Sequence, residues 1–321
     1  MSSGEPLLIR PFAPIDYEAV AEITRTANPI AYDGARGMRR RDANFNPAHR
    51  RTRLVAEQDG AVVAWGQVGN KWSAYHPRTF QMRLEVDPAR QGHGIGAQVY
   101  AMLAETVAAW DPIHVRAEVD ERFPRGIGFL ERRAFVEIRR RWEARLPVAE
   151  VDLAAFGPAA ARLQQQGFVV TTYAQELGRR GDRLARDLFD MELRAATKEP
   201  GYEAGTSMSF DQFRAIELET ENAIPEANFL ALDGERLVGV SRVGRRATEP
   251  RVLNQDFTGT DPDYQGRGIA LALKLRTIDY AQAHGFREIW TQNDTSNVPM
   301  LRINERLGFQ RQPPIILYER T

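Results

Sequence analysis

The chain has 321 residues, of which 43% are hydrophobic and 27% charged, a length and composition typical of two folded domains of ordinary size. Lys and Arg together number 43, as do Asp and Glu, so the formal net charge is zero and a general nucleic-acid binder, which needs excess cations, is not expected. The absence of cysteine excludes disulfides, zinc–thiolate sites and a cysteine nucleophile.

The sequence gives no sign of export or membrane insertion. Its first six residues lack a basic segment followed by an apolar run, so a signal peptide is not expected. No stretch approaches the roughly 20 apolar residues that span a bilayer. We therefore expect a cytoplasmic protein that contacts neither membrane nor nucleic acid. The five histidines show no paired ligand spacing, so no metal site is expected.

Hydrophobic periodicity and turn signals predict alternating strands and helices in the first half of the chain. Asp59-Gly60 lies between two apolar runs and predicts a tight hairpin. The predicted elements are, in chain order, a strand at 8–10, a helix at 16–27, strands at 53–56, 61–68 and 80–86, a helix at 95–110, a strand at 113–119, a helix near 129–133 and a strand from 135.

The second half repeats this order after a predicted linking helix near 154–166. Asp233-Gly234 predicts the matching hairpin, and Gly285 is placed to end a helix. The predicted elements are a strand at 168–173, a helix at 181–197, strands at 229–232, 236–243 and 252–260, a helix at 269–284, a strand at 287–292, a helix at 298–307 and a strand at 315–318.

An internal repeat explains this parallel order. The segment Asp87-Pro-Ala-Arg-Gln-Gly-His-Gly-Ile-Gly96 matches Asp261-Pro-Asp-Tyr-Gln-Gly-Arg-Gly-Ile-Ala270, which begins 174 residues later. The same spacing joins Asp120 to Asp294. We therefore predict two tandem modules, 1–149 and 150–321. Their fold class is α/β, in the α+β sense: each module is a mixed, partly antiparallel sheet flanked by helices, with a strand–helix–strand unit that makes two strands parallel.

Each repeated segment is a glycine-rich loop between a predicted strand and a predicted helix. Glycine permits positive φ and lets the backbone approach a ligand closely. The free N–H groups and the dipole of the helix start favour an anion such as phosphate or pyrophosphate. Neither loop has the pattern of a Walker P-loop or of a dinucleotide fingerprint. An ordinary tight turn is the competing interpretation.

The loops resemble the acetyl-CoA loop of the GNAT acetyltransferase superfamily, whose pattern is [Gln/Arg]-x-x-Gly-x-[Gly/Ala]. Residues 297–309, which end in Leu-Gly-Phe, resemble the second CoA motif of that superfamily, and 129–135 is a weaker counterpart. The chain looks most like tandem GNAT proteins, a group that includes mycothiol synthase. The pattern is filled by Gln91, Gly94 and Gly96 in the first copy and by Gln265, Gly268 and Ala270 in the second.

This resemblance implies acetyl-CoA as the cosubstrate, without a metal. In the family, loop N–H groups hold the pyrophosphate, and the strand before the loop splays from its parallel neighbour to admit pantetheine. N–H groups on that strand, at 84–86 and 258–260 here, polarise the thioester carbonyl. The residues that it implies for the cofactor are Val86, Gln91, Gly92, His93, Gly94, Ile95 and Gly96 in the first copy, and Thr258, Thr260, Gln265, Gly266, Arg267, Gly268, Ile269, Ala270 and Asn297 in the second.

Two carboxylates are candidate general bases for deprotonating an acceptor amine. Glu85 and Asp256 each lie on the strand that leads into a loop. The competing interpretation is an ordinary hydrogen-bonded strand carboxylate. The tyrosine that often protonates the leaving thiolate in the family is replaced by Leu130 and by Asn304. Leucine has no donor; Asn304, the third candidate catalytic residue, donates hydrogen bonds but is not an acid.

The two copies differ in ways that favour the second. Phe123 stands where the second copy has Asn297, and Ala134 stands where it has Gly308. We therefore expect the C-terminal module to carry the chemistry.

The predicted function is acetyl transfer from acetyl-CoA to a primary amine of a small molecule, by direct attack of the amine on the thioester. Two alternatives stay open: a non-catalytic acyl-CoA-binding or sensor protein, and a protein N-acetyltransferase. Acceptor residues are expected near 28–41 and 196–208, which carry no motif that identifies the acceptor. A monomer and a homodimer are both compatible with a tandem pair.

Overall fold

The computed structural model describes residues 6–28, 34–71, 75–198 and 208–321. Contacts divide the chain into unit 1, Met1–Ile138 with Ile316–Thr321, and unit 2, Arg139–Ile315. This division assigns chain segments by their contacts and does not test where the modules of the sequence repeat end, so the predicted boundary between 149 and 150 stays a prediction.

Unit 1 has helices on both faces of its sheet. Val99 and Leu103, in the helix after the first glycine-rich loop, belong to one core, and Val20 and Met38, in two earlier helices, belong to a second core that contains Trp65. The helices are α1 Tyr17–Ala27, α2 Gly34–Ala43, α3 Ile95–Ala108 and α4 Pro124–Glu131. The strands are β1 Leu8–Pro11, β2 Arg51–Gln58, β3 Ala61–Gly69, β4 Thr79–Val86, β5 His114–Asp120 and the last strand of the chain, β13 Ile315–Arg320.

Unit 2 repeats this arrangement. Leu230 belongs to a core with Leu188, and its neighbour Phe229 in the same strand belongs to a core with Leu273, as expected for a strand buried on both faces. The helices are α5 Ala159–Gln165, α6 Tyr173–Arg180, α7 Arg183–Ala196, α8 Phe210–Phe213, α9 Ile269–Ala283 and α10 Val298–Leu307. The strands are β6 Val136–Pro147, which begins in unit 1, β7 Val169–Thr172, β8 Phe229–Asp233, β9 Arg236–Arg246, β10 Glu249–Thr260, β11 Glu288–Asp294 and β12 Gln310–Arg311.

Strand pairing confirms the predicted mixed sheets and so the fold class. In unit 1, β1 to β4 pair antiparallel in chain order and β4 pairs with β5 in parallel. In unit 2, β7 to β10 pair antiparallel and β10 pairs with β11 in parallel. Both predicted hairpins form; Asp59 and Gly60 have φ of 52° and 73°, as a tight two-residue turn of the primed type requires.

One predicted helix needs correction, and some helices were not predicted. The predicted linking helix at 154–166 is interrupted: a short 3-10 turn ends at Phe156, Gly157 has φ of 58°, and α5 begins only after Pro158. A residue before proline is disfavoured in the helical region, and glycine takes the positive φ readily. The helices α2, α6 and α8 were not predicted, although Thr172 and Gln175 form a capping box at the start of α6.

The predicted acceptor segments are described only in part. Residues 29–33 and 199–207, which belong to them, lie outside the described residues.

Candidate active site

The two glycine-rich loops have nearly the same backbone conformation. Gly92 and Gly94 have φ of 86° and 82°, and Gly266 and Gly268 have φ of 78° and 82°. A Cβ atom at any of these four positions would meet no other heavy atom within 4 Å. Positive φ therefore explains the glycines, and the space beside them is open to a ligand.

The loops also begin alike. The side chain of Asp87 accepts a hydrogen bond from the Ala89 amide, and that of Asp261 accepts one from the Asp263 amide. Asp261 is buried and pairs with two arginines. These contacts fix both loops in place before a ligand binds.

The helices after the loops present their N-terminal amides. Gly94 and Gly268 are the residues before α3 and α9, and the first amides of a helix have no partner within it. Ile95 and Ile269 turn their side chains into the cores, which leaves their backbones at the helix start. The geometry suits an anionic group such as a pyrophosphate.

The other loop side chains make local contacts. Gln91 donates a hydrogen bond to the Val86 carbonyl at 3.1 Å. His93 lies 3.4 Å from the Arg90 carbonyl through Nδ1. The guanidinium of Arg267 lies 4.9 Å from the centre of the Tyr264 ring.

Gly96 and Ala270 are equivalent positions with different residues. A Cβ atom at Gly96 would meet Val86 at 3.4 Å, which is ordinary contact. The position therefore accepts alanine, as the second copy shows.

The strand before each loop separates from its parallel neighbour. In unit 2, β10 pairs with β11 only at 252–254 although it continues to Thr260. In unit 1, β4 pairs with β5 only at 79–82 and continues to Val86. The predicted segments 84–86 and 258–260, which include Val86, Thr258 and Thr260, therefore lie beside a gap between strands.

Only unit 2 has an interruption in the strand next to this gap, among the strand pairs described. The register between β9 and β10 shifts between Gln255 and Phe257, so Asp256 is the extra residue of a β-bulge. The register between β3 and β4 runs without a shift from Ala64–Val86 to Gly69–Gln81. A bulge re-aims a side chain and leaves backbone groups out of the ladder, which a reaction site can use.

Asp256 belongs to a cluster of three carboxylates around one arginine. The buried Arg242 pairs with Glu192 at 3.0 Å and with Glu217 at 2.5 Å, and its Nη1 lies 3.9 Å from Asp256 Oδ2. Gly244 leaves room for Asp256, because a Cβ atom there would lie 2.8 Å from Oδ2. With all groups ionised, the cluster carries an excess of two negative charges.

Burial raises the pKa of Asp256 to about 7; nearby Arg242 lowers it in part, and Glu217 and Glu192 raise it further. Burial likewise raises the pKa of Glu192. The Asp256 side chain is still 32% exposed, so it lies in a recess, crowded by protein atoms but open to solvent. A carboxylate with these properties can accept a proton near neutral pH.

Glu85, the candidate base in unit 1, has hydrogen bonds to both of its carboxylate oxygens. Its buried carboxylate accepts hydrogen bonds from Thr24, Trp65, Asn28 and Arg83 at 2.6–3.2 Å. These four donors hold both oxygens, as in a structural carboxylate.

Unit 1 also has a group of arginines, one of which, Arg83, pairs with Glu85 at 2.7 Å. Arg51 and Arg53 both pair with Asp42, at 2.6 and 2.5 Å. Burial, and then repulsion from Arg83 and Arg53, lowers the pKa of Arg41 to about 10. Arg83 therefore lies close enough to other arginines to affect the pKa of Arg41, whereas carboxylates predominate around Asp256.

Two polar atoms beside the gap in unit 2 are buried and, within the described part of the chain, have no hydrogen-bond partner. They are Thr258 Oγ1 in β10 and Asn304 Oδ1 in α10. Asn304 uses its Nδ2 to donate to Asn293 at 2.7 Å. A buried polar atom without a partner is unfavourable by about 1–3 kcal/mol, so a polar ligand in the gap fits these residues.

Asn297 is placed differently from the other implied residues. Its Oδ1 accepts a hydrogen bond from the Met300 amide and caps α10, whereas Phe123 gives α4 no side-chain cap. The roles of all these residues in binding acetyl-CoA stay predictions.

Sequence reasoning missed Arg242, Glu192 and Glu217. They come from β9, α7 and a π-helical turn at 214–218, and no short motif joins them. In the described residues, no group of three or more His, Asp or Glu side chains is arranged to hold a metal ion. Nor does any helix described have the length and apolar character needed to cross a membrane.

Comparison with known families gives a match in both halves of the chain. The model of the Acetyltransferase (GNAT) family matches residues 17–135 and 187–309. Members of this family use acetyl-CoA, which agrees with the loops and the gap.

Full-length relatives and solved structures agree with this match. Mycothiol acetyltransferase of Actinosynnema mirum is 26% identical, over 95% of this chain and 96% of its own length. The mycothiol acetyltransferase of Geodermatophilus obscurus is also 26% identical, over 96% of this chain and 95% of its own length. A tandem GNAT protein from the clavulanic acid biosynthesis pathway has a TM-score of 0.75 at 20% identity, covering 98% of both chains. The chain thus belongs to the GNAT acetyltransferase family, with two GNAT-type segments, and is an acyltransferase.

Proposed function

We propose that the chain transfers the acetyl group of acetyl-CoA to a primary amine of a small molecule, and that unit 2 carries the reaction with Asp256 as the general base. The observation that carries this proposal is the position of Asp256: it projects from a bulge beside the gap, and burial raises its pKa to about 7.

The charge around Asp256 supports an amine acceptor. A primary amine reaches the site as an ammonium ion at neutral pH. Among the described residues, Arg242 is the one cation that pairs with the three carboxylates Glu192, Glu217 and Asp256. A cationic group is therefore attracted to the recess.

Asp256 then accepts one proton from the ammonium group, directly or through one water molecule. The neutral nitrogen attacks the thioester carbonyl carbon, the C–N bond forms and the C–S bond breaks. The electron pair of that bond leaves with sulfur, and the second proton of the nitrogen passes to solvent. A thiol with pKa near roughly 8.5 leaves as thiolate and takes a proton from water, so the absence of a tyrosine at Asn304 does not block the reaction.

Acetyl-CoA supplies the activated acyl group, and the residues of unit 2 hold it. Amides of the loop and of the α9 start would bind its pyrophosphate. Backbone N–H groups of β10 beyond Asn254, which have left the parallel ladder, would polarise the carbonyl. Thr258 would offer its unpartnered hydroxyl in the same gap.

Unit 1 has the glycine-rich loop and the gap between parallel strands, but among its described residues it lacks a β-bulge beside the gap and an available carboxylate. Its strand β4 has no register shift against β3, and Glu85 is held by four donors, one of which is Arg83. We therefore propose that unit 1 binds acetyl-CoA without turning it over. The small-molecule nature of the acceptor is supported by the relatives named mycothiol acetyltransferase, at about a quarter identity.

The test is release of CoA from acetyl-CoA in the presence of a panel of primary amines, followed with a thiol reagent. The chain has no cysteine, so with amines that lack a thiol the reagent detects only CoA. Amine-dependent release, with the acetylated amine found by mass spectrometry, supports the proposal. Calorimetric binding of acetyl-CoA without release for any amine would favour the non-catalytic alternative, and acetylation of lysine peptides alone would favour the protein acetyltransferase.

A further inference from the structure

A lysine is buried under the catalytic strand of unit 2. Lys274 lies in the middle of α9 and its residue exposure is 1%. Burial lowers its pKa to about 7. Lysine is rarely buried without a charged partner, because taking an ammonium ion out of water is unfavourable. Hydrophobic packing alone therefore does not explain a lysine at this position.

The recorded contacts of Lys274 lead to the bulge. Its Nζ donates a hydrogen bond to Gln255 Oε1 at 3.3 Å and lies 4.8 Å from the centre of the Phe309 ring. Gln255 is the residue immediately before Asp256 in β10. Lys274 therefore fixes one end of the Gln255 amide.

The other end of that amide holds the strand on both sides of the bulge. Gln255 Nε2 reaches the Arg242 carbonyl at 2.8 Å and the Phe257 carbonyl at 3.1 Å. It also lies 3.2 Å from Ser241 Oγ, which bonds to Thr277 of α9. One side chain thus replaces ladder hydrogen bonds that the bulge removes, and ties β9 and β10 together around Asp256.

Unit 1 provides an internal comparison. The repeat spacing of 174 residues sets Tyr100 against Lys274. The Tyr100 hydroxyl accepts a hydrogen bond from Arg320, and β4 has no bulge against β3. The lysine and the bulge therefore occur together in unit 2 and are both missing at the equivalent described positions of unit 1.

We propose that Lys274 is a positioning residue for Asp256: its Nζ orients the Gln255 amide, and that amide fixes the bulge from which the Asp256 carboxylate projects. The inference rests on the proposed role of Asp256 as the base. Lys274 acts through Gln255 and does not touch the reacting atoms.

The test is Lys274→Met, which keeps an unbranched chain and removes the polar end. Because misplacement of a catalytic group by about 1 Å can cost 100-fold in rate, we expect kcat to fall at least about tenfold. The KM for acetyl-CoA should stay within about twofold, because the loop is untouched. Tm should stay equal or rise, because an unfavourable buried ammonium is gone. Arg276→Met, on an exposed position of the same helix, is the matched control and should change none of these.

A second measurement separates this inference from the proposed function. Hydrogen exchange of the Asp256 and Phe257 amides should become faster in Lys274→Met and in Gln255→Met, and the double variant should add little to either. This holds even if no amine substrate is found. Unchanged exchange at the bulge, or a kcat of wild-type size in Lys274→Met, would overturn the positioning role. If the Lys274 variant does not fold, Gln255→Met gives the same two readouts.

Discussion

Arg242 Nη1 lies 3.9 Å from Asp256 Oδ2, but its guanidinium is already bonded to Glu192 and Glu217 at 3.0 and 2.5 Å. The arginine is thus close enough to lower the pKa of Asp256 in part, but it does not form a full ion pair with this carboxylate. A full ion pair would hold a carboxylate in its charged form and make it a weak base. Because Arg242 is shared with Glu192 and Glu217, Asp256 would stay available for the proposed proton transfer.

Replacing Asp256 with asparagine should remove the base and keep the shape of the recess. We expect kcat/KM for the amine to fall about 100- to 10,000-fold, the range typical of general bases. Acetyl-CoA binding, followed by calorimetry, should be unchanged. Glu249→Gln, on the same strand, is the control. Turnover within twofold of wild type in Asp256→Asn would mean that another group takes the proton.

The reaction should depend on the ionisation of Asp256. Its pKa is raised to about 7, so only the deprotonated enzyme at higher pH is active, and kcat/KM should rise with pH through about 7. This rise of kcat/KM with pH should disappear in Asp256→Asn. A profile that is flat from pH 5.5 to 8.5 in the wild type would contradict this assignment.

The same pKa predicts a stability effect. Because the pKa of Asp256 is raised from 3.8 to about 7 on folding, the folded state holds more protons than the unfolded state between these values. The free energy of unfolding therefore falls as pH rises from about 4 to about 7. Asp256→Asn removes this loss, so its Tm relative to wild type should be higher at pH 8 than at pH 5. Equal Tm differences at the two pH values would count against the raised pKa.

Gly268→Ala tests whether the loop serves a ligand. The methyl group meets no protein atom, so the loss of stability should be only the strain of positive φ, about 1 kcal/mol. The affinity for acetyl-CoA should fall as well, because the added methyl group points into the open space beside the loop where the ligand would bind. Gly234→Ala carries similar strain, with φ of 56°, in a hairpin turn, and should leave affinity unchanged. Equal affinities in the two variants would make the loop an ordinary turn.

Glu85→Gln should affect folding and not turnover. An amide cannot accept all four hydrogen bonds that the carboxylate accepts, so about 1–3 kcal/mol of unfolding free energy should be lost in unit 1. Denaturant unfolding measures this, with the more exposed Glu57→Gln as the control. A large loss of kcat without loss of stability would return Glu85 to the list of candidate bases.

The parts that sequence predicted have local signatures. Positive φ at Gly94 and Gly268, the hairpin at Asp59-Gly60 and the helices after the loops all follow from residues close together in the chain. The interruption of the linking helix has a local signature as well, since Gly157 precedes Pro158 and a residue before proline is disfavoured in the helical region.

The carboxylate cluster has no such signature. Glu192 and Arg242 are 50 residues apart, and Glu217 and Arg242 are 25 apart, so only the packing of α7 and the π-helical turn over the sheet joins them. The bulge at Asp256 likewise depends on the pairing of two strands, which a pattern along one strand does not show. Sequence could therefore propose Asp256 as a base but not explain its pKa.

The central claim is that unit 2 carries the acetyl transfer. The most direct measurement is amine-dependent CoA release by Gly268→Asp and Gly94→Asp, each of which sets a carboxylate where one loop would bind pyrophosphate. We expect Gly268→Asp to abolish release and Gly94→Asp to retain most of it. Full release by Gly268→Asp with loss in Gly94→Asp would place the chemistry in unit 1 and contradict the proposed function.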